Sequence, residues 1–271
     1  MEYTISIWSL ITIGVDIALG FIIPFGLYFV FKNLFKCVKK AFFEGMTMAI
    51  IVGLLLKQLI HSLVLSTSVG DVILNNGWLY GLYAGLVSAL LEESVRIFAF
   101  RKRLGDYQSH DFNALMYGAG QGGAEAIYSL VVCLASTMQA ALLIYRGQAE
   151  VMYYELDGEA LESSLAAVEQ LCAVHPVTFL SYAVERCAVV VMHMSLSVLM
   201  WFGIKKGGNT FWRMYAASIV LHVLLEMVAP VLNQYGANLW IVELGICLAA
   251  AVCAVAARIV WKQYHRPEMP E

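Results

Sequence analysis

Charge is scarce in this chain: only 14% of its 271 residues are Asp, Glu, Lys or Arg, while 61% are apolar. Mean hydropathy is +0.73, and several apolar runs exceed the roughly 20 residues a helix needs to cross a hydrocarbon core about 30 Å thick. That pattern excludes a soluble globular protein and points to a polytopic membrane protein. The formal net charge of −3 says little about partners, because the charges are expected to be segregated by membrane side, and nothing suggests nucleic acid.

Other things are missing too. There is no repeat period, no low-complexity tract and no Pro/Gly-rich linker, so one helical-bundle domain over residues 1–271 is the simplest account. Six cysteines (Cys37, Cys133, Cys172, Cys187, Cys247, Cys253) show no CxxC or other metal-ligand spacing and read as small buried hydrophobes. The first apolar run lacks a basic segment before it and a small-residue cleavage site after it, and is too long for a signal-peptide core; it reads as a transmembrane helix.

The apolar runs fall at about 5–31, 42–69, 75–100, 112–145, 176–204, 211–232 and 238–261, predicting an all-α bundle of seven spans. Lys32, Lys36, Lys39 and Lys40 follow the first, Arg101, Lys102 and Arg103 the third, and Lys205, Lys206 and Arg213 the fifth. Arg258, Lys262 and Arg266 mark the last. The bias predicts an external N-terminus and a cytoplasmic C-terminus. The segment from Arg146 to His175 carries Glu150, Glu155, Asp157, Glu159, Glu162 and Glu169 against one Arg, which predicts an acidic external loop with a surface helix near "GEALESSLAAVEQL".

Ionisable groups inside the spans need a partner or a job, since each costs at least about 2.5–3.5 kcal/mol at the bilayer centre. In "ALLEESVRIFAF", Glu92 and Arg96 are four apart and Glu93 and Arg96 three apart, so both acids can reach the guanidinium and one is left over. A spare carboxylate is a plausible general base once water reaches it; an ion-pair cluster that locks the helix is the plainer alternative. "YGAGQGGAEAIYS" formally matches GxGxxG, but no strand precedes it. Gly118 and Gly122 instead predict a face for close helix approach, which brings Gln121 and Glu125 against a neighbour. Arg186, His193 and Ser197 share one face of the fifth span; Ser218, His222 and Glu226 recur every fourth residue in the sixth.

Depth decides whether these groups can meet. At 1.5 Å per residue, Glu92, His193, His222, Glu125 and Glu226 lie about 13–20 Å from their basic ends, inside one band under about 8 Å. They can share one water-filled cavity.

"EESVR", "GAGQGGAEAI", "ERCAVVVMH" and "HVLLE", in this order, resemble the CAAX-processing and bacteriocin-processing superfamily of intramembrane proteases, and most closely its YhfC-like branch. The resemblance implies that Glu92 and His193 activate a water while His222 and the side chain four residues later support the oxyanion. It departs at Val189 (Phe in the broader family), at Gln121 (commonly His) and at Glu226 (Asn). An ionised Glu226 would repel an oxyanion. A zinc ion held by Glu92, His193, His222 and Glu226 is the alternative; the lack of HExxH tips the reading toward a metal-free glutamate mechanism, with no cofactor. Lys57 and His61 lie four apart in span two, and a Lys57–Asp16 pair is expected to tie spans one and two together.

The sequence therefore predicts an intramembrane peptidase of a bacterial plasma membrane. Glu92, His193 and His222 are the catalytic candidates; Glu93, Arg96, Gln121, Glu125, Arg186 and Glu226 support them. Its partners are the lipid bilayer and a membrane protein or peptide substrate. A proton-coupled transporter or channel would also place carboxylates and histidines at one depth, and a non-catalytic peptide-binding or immunity protein would keep the same fold.

Overall fold

A computed structural model describes residues 3–266, and its described residues are helical with no strand. The helices are α1 (Ile7–Asn33), α2 (Lys39–Leu65), the short α3 (Ser68–Leu74), α4 (Gly77–Phe98), α5 (Phe112–Tyr145), α6 (Gly158–Ala173), α7 (Pro176–Lys206), α8 (Gly208–Gln234) and α9 (Leu239–Tyr264). Helix starts follow local chemistry. Asn76 accepts from the N–H groups of Trp78 and Leu79, Asn238 from that of Trp240, and Pro176 opens α7 where its missing N–H costs nothing.

Among the described residues, six helices are long and apolar enough to cross a membrane: α1, α2, α5, α7, α8 and α9. The expected third span is a helix as well, α4, of 22 residues, about 33 Å at the α-helical rise. It is not among the six: Glu92, Glu93 and Arg96 fall in its final turns, and Gly81 and Gly85 thin its hydrophobicity. Those glycines let it approach α8, where a Cβ at either would lie 3.1 Å from the Cα of Met227 or Val223. Wide π-type turns interrupt α2 at Ala49–Leu56 and α5 at Ile127–Cys133, and Ala99–Arg103 continue α4 in the same form.

The chain divides into two compact units. One comprises Met1–Ile22 with Ala126–Val184; it contains α6, the helix expected near "GEALESSLAAVEQL". The other comprises Ile23–Glu125 with Glu185–Glu271 and contains every candidate site residue. Its core packs Phe42, Phe100, Tyr117, Trp201 and Phe202 around α5 and α7, with a second apolar cluster of Met192, Leu196, Leu225, Ile246 and Cys253. Large aliphatic side chains such as Leu55, Leu63, Leu248 and Ile259 remain more than half exposed, as lipid-facing positions require.

At the Lys- and Arg-rich end of this second unit, Asp111 gathers three partners. Its Oδ1 accepts from Lys205 Nζ at 2.5 Å and Trp201 Nε1 at 3.0 Å, and its Oδ2 lies 2.9 Å from His265 Nδ1. Burial pushes the Asp111 carboxyl up, but the hydrogen bonds from Lys205, His265 and Trp201 together hold it below the ordinary carboxylate range. All six cysteines are free, and only Cys37 and Cys253 are buried; Cys133 and Cys187 are exposed, which corrects the expectation for them, since a thiol facing lipid is as well accommodated as one in a core. Burial pushes the Cys37 thiol up to about 12, so it is no nucleophile.

Candidate active site

The final turns of α4 carry Glu92, Glu93 and Arg96 at 3%, 0% and 0% exposure. Of the two acids expected to reach Arg96, Glu93 takes it in a fully buried ion pair. Glu92 turns the other way. Its Oε1 accepts from Lys57 Nζ at 3.4 Å, and its Oε2 accepts from Gln121 Nε2 at 3.0 Å. The expected Lys57–Asp16 pair is thereby overturned: the α2 lysine serves Glu92, and Asp16 is fully buried with neither carboxylate oxygen hydrogen-bonded among the described residues. The ammonium stands within reach of the buried Glu92 carboxylate, and spacing within α2 alone cannot show which neighbouring helix it meets.

Gln121 reaches Glu92 because α5 lies against α7 with nothing between. A Cβ at Gly118 would stand 2.4 Å from the Cα of Met194, and one at Gly122 would stand 2.7 Å from that of Val190 and 3.2 Å from the His193 ring. The GxGxxG match is thus a packing seam inside a helix. The same approach sets Glu125 beside His193 and lets Arg96 Nη2 donate to Gln121 Oε1 at 2.9 Å.

The two histidines, with ring centroids 6.0 Å apart, have opposite neighbours. His222 Nδ1 lies 3.4 Å from Glu93 Oε1, an acceptor, so in the neutral ring Nδ1 carries the proton and Nε2 presents a lone pair. That nitrogen is 4.0 Å from Glu92 Oε2 and 3.9 Å from Glu226 Oε1. His193 Nδ1 lies 3.3 Å from Arg96 Nη2, which can only donate, so here the neutral ring carries its proton on Nε2. His193 Nε2 is 3.1 Å from Glu125 Oε1 but out of hydrogen-bond alignment, and both atoms lack a hydrogen-bond partner among the described residues. One imidazole is set to accept and the other to donate, with Glu92 between them.

The remaining candidates divide. Glu226 borders His222 with its side chain one-third exposed. Arg186 pairs with its neighbour Glu185 and makes no hydrogen bond to the site groups among the described residues. Ser197 and Ser218 are buried with unpartnered hydroxyls. Lys57 is the site residue that sequence reasoning assigned elsewhere; a lysine inside an apolar run was the available signal.

The residues fit a divalent cation. Glu92, Glu125 and His193 offer ligand atoms all within 4.8 Å of one another. His193 Nε2, His222 Nε2 and Glu125 Oε1 are buried without hydrogen-bond partners, and carboxylate with imidazole is a donor set suited to zinc. Glu125 takes the place that Glu226 held in the expected set, while His222 stands beside the trio through Glu92.

Comparison with known proteins agrees with this chemistry. The profile of the YhfC intramembrane metalloprotease family matches residues 19–246. The chain belongs to this family. It is 27% identical over 246 residues to the uncharacterized membrane protein YhfC of Bacillus subtilis (strain 168), covering 90% of this chain and 91% of that one. No solved structure matches it. The match to the YhfC family takes in Glu92, Gln121, Glu125, His193, His222 and Glu226, and it makes the chain a multi-pass membrane protein of an intramembrane protease family.

Proposed function

We propose that this chain is a metal-dependent intramembrane endopeptidase of a bacterial plasma membrane, with Glu92, Glu125 and His193 as the residues that would hold the ion and His222 accepting a proton from the attacking water. The observation that carries the reading is the meeting of ligand atoms of Glu92, Glu125 and His193 within 4.8 Å of one another, beside a His222 ring whose Nδ1 faces Glu93. The family resemblance implied instead that Glu92 and His193 activate the water and that His222 supports the oxyanion.

Glu92, Glu125 and His193 would hold the ion, with His222 Nε2 4.0 Å from Glu92 Oε2. Such an ion supplies Lewis acidity toward a peptide carbonyl. The chain's own groups do the rest. His222, its Nδ1 held by Glu93, takes the proton of the water at Nε2, and Gln121 Nε2 holds Glu92 in place. Glu93 orients His222 in the way carboxylates orient metal-site histidines, and Arg96 holds Gln121 and Glu93 in place for both. The family description and the three unpartnered donor atoms favour the metal over the metal-free reading.

The test uses purified protein in detergent. Zinc content is measured by elemental mass spectrometry, and cleavage of a transmembrane-peptide library by peptide mass spectrometry, with and without chelator. The expected result is cleavage lost on chelation, restored by zinc, and absent in Glu92→Gln. Cleavage by metal-free protein would return the reading to a glutamate mechanism; no cleavage, with proton-driven solute uptake into proteoliposomes, would replace it with transport.

A further inference from the structure

The charges around Glu92 do not balance. Four carboxylates, those of Glu92, Glu93, Glu125 and Glu226, share the site with two permanent cations, Lys57 and Arg96. Arg96 is fully buried and paired with Glu93, and Arg186 is paired with Glu185, which leaves Lys57 as the cation hydrogen-bonded to Glu92. It sits on Glu92 Oε1 at 3.4 Å and interacts electrostatically with Glu125 and Glu226 as well. The face of α2 that carries it passes directly over the cluster: a Cβ at Gly53, one turn earlier, would lie 3.9 Å from Glu125 Oε1.

We propose that Lys57 is a tethered cation that occupies this carboxylate cluster in the metal-free chain and competes with the divalent ion for it, so that metal loading withdraws the lysine. The proposal rests on the metal-dependent reading above. Two features distinguish this lysine from a fixed structural pair. Its side chain retains 17% exposure against 0% for Arg96, and a four-carbon stem with a compact ammonium can swing away where a fully buried guanidinium shared between Glu93 and Gln121 cannot. The wide turns of Ala49–Leu56, which end at Lys57, are a form of helix met at functional sites. A tethered cation also explains how three acidic side chains persist together in a hydrocarbon setting before any ion arrives.

The experiment is calorimetric titration of full-length, chelator-stripped protein in detergent with zinc, comparing wild type, Lys57→Met and Glu92→Gln, alongside labelling of wild-type Lys57 with an amine reagent read by peptide mass spectrometry. Lys57→Met is expected to bind zinc about tenfold more tightly or better, as removal of one nearby positive charge requires, and Glu92→Gln at least about tenfold more weakly. Labelling of Lys57 is expected to rise several-fold when zinc is added. Equal affinity in wild type and Lys57→Met with unchanged labelling, while Glu92→Gln still weakens binding, would overturn the lysine proposal and leave the metal reading standing. Absence of saturable binding in wild type and Lys57→Met alike would overturn the metal reading itself, and the proposal with it. Should Lys57→Met fail to fold, the wild-type labelling decides alone.

Discussion

Two charged networks in the same unit are built from similar parts and finished differently. At the basic end, Asp111 has both oxygens engaged, by Lys205, Trp201 and His265. Around Glu92, five buried polar atoms have no hydrogen-bond partner among the described residues: Glu93 Oε2, Arg96 Nε, Glu125 Oε1, His193 Nε2 and His222 Nε2. Each orphaned buried polar atom costs on the order of 1–3 kcal/mol, so an open network in a folded protein needs a reason that a closed one does not. A clasp is complete in itself; a site keeps bonding capacity for something that arrives.

The contrast can be broken most severely at Glu92. Glu92→Gln removes the carboxylate but keeps the shape, and peptide cleavage is expected to fall by about 10³-fold or more, measured by mass spectrometry of products. Arg96→Met next: taking one partner from the fully buried Glu93 pair is expected to cost about 3–5 kcal/mol, read as a lower unfolding midpoint in detergent. The histidines sharpen the assignment of roles. His193→Ala is expected to weaken zinc binding at least about tenfold by calorimetry, whereas His222→Ala should keep the ion and lose cleavage. Zinc binding lost at 222 and kept at 193 would reverse the roles.

Smaller effects test the surroundings. Gly122→Ala sets a methyl 2.7 Å from the Val190 Cα, and the forced separation of α5 from α7 is expected to cost about 1–3 kcal/mol and to weaken cleavage further by displacing Gln121. Smallest is the clasp. Because the folded Asp111 carboxyl is held below its ordinary value, the stability it contributes is present above that ordinary value and is lost as pH falls through the depressed one. Asp111→Asn should therefore lower stability near neutral pH and flatten the acid limb of a stability-against-pH curve, with cleavage unaffected.

Much of this was legible in the sequence. Hydropathy located the helices, and α-helical rise placed Glu92, Glu125, His193, His222 and Glu226 near one depth, where the structure brings them together. Helical spacing also gave the Glu93–Arg96 pair and the glycine seam. What spacing could not give was anything set between helices. Which acid Arg96 would choose depended on Gln121 and Lys57 arriving from α5 and α2. The partner of Lys57 was misassigned because spacing within one helix does not show which neighbouring helix will stand beside it. The protonated nitrogen of each histidine follows from neighbours 97 and 129 residues away in the chain.

The glycine seam has one more consequence. Gly118 and Gly122 press α5 to α7, while on the other side of α5 a Cβ at Gly120 would lie 2.0 Å from the Phe42 carbonyl oxygen of α2. A helix wedged backbone to backbone on two sides has no slack in which to slide or tilt, so this stretch of α5 is the fixed jaw of the site. Any movement that widens the site falls to the other helices that line it, and beside His222 it is the side chain of Glu226 that reaches the surface, one-third exposed.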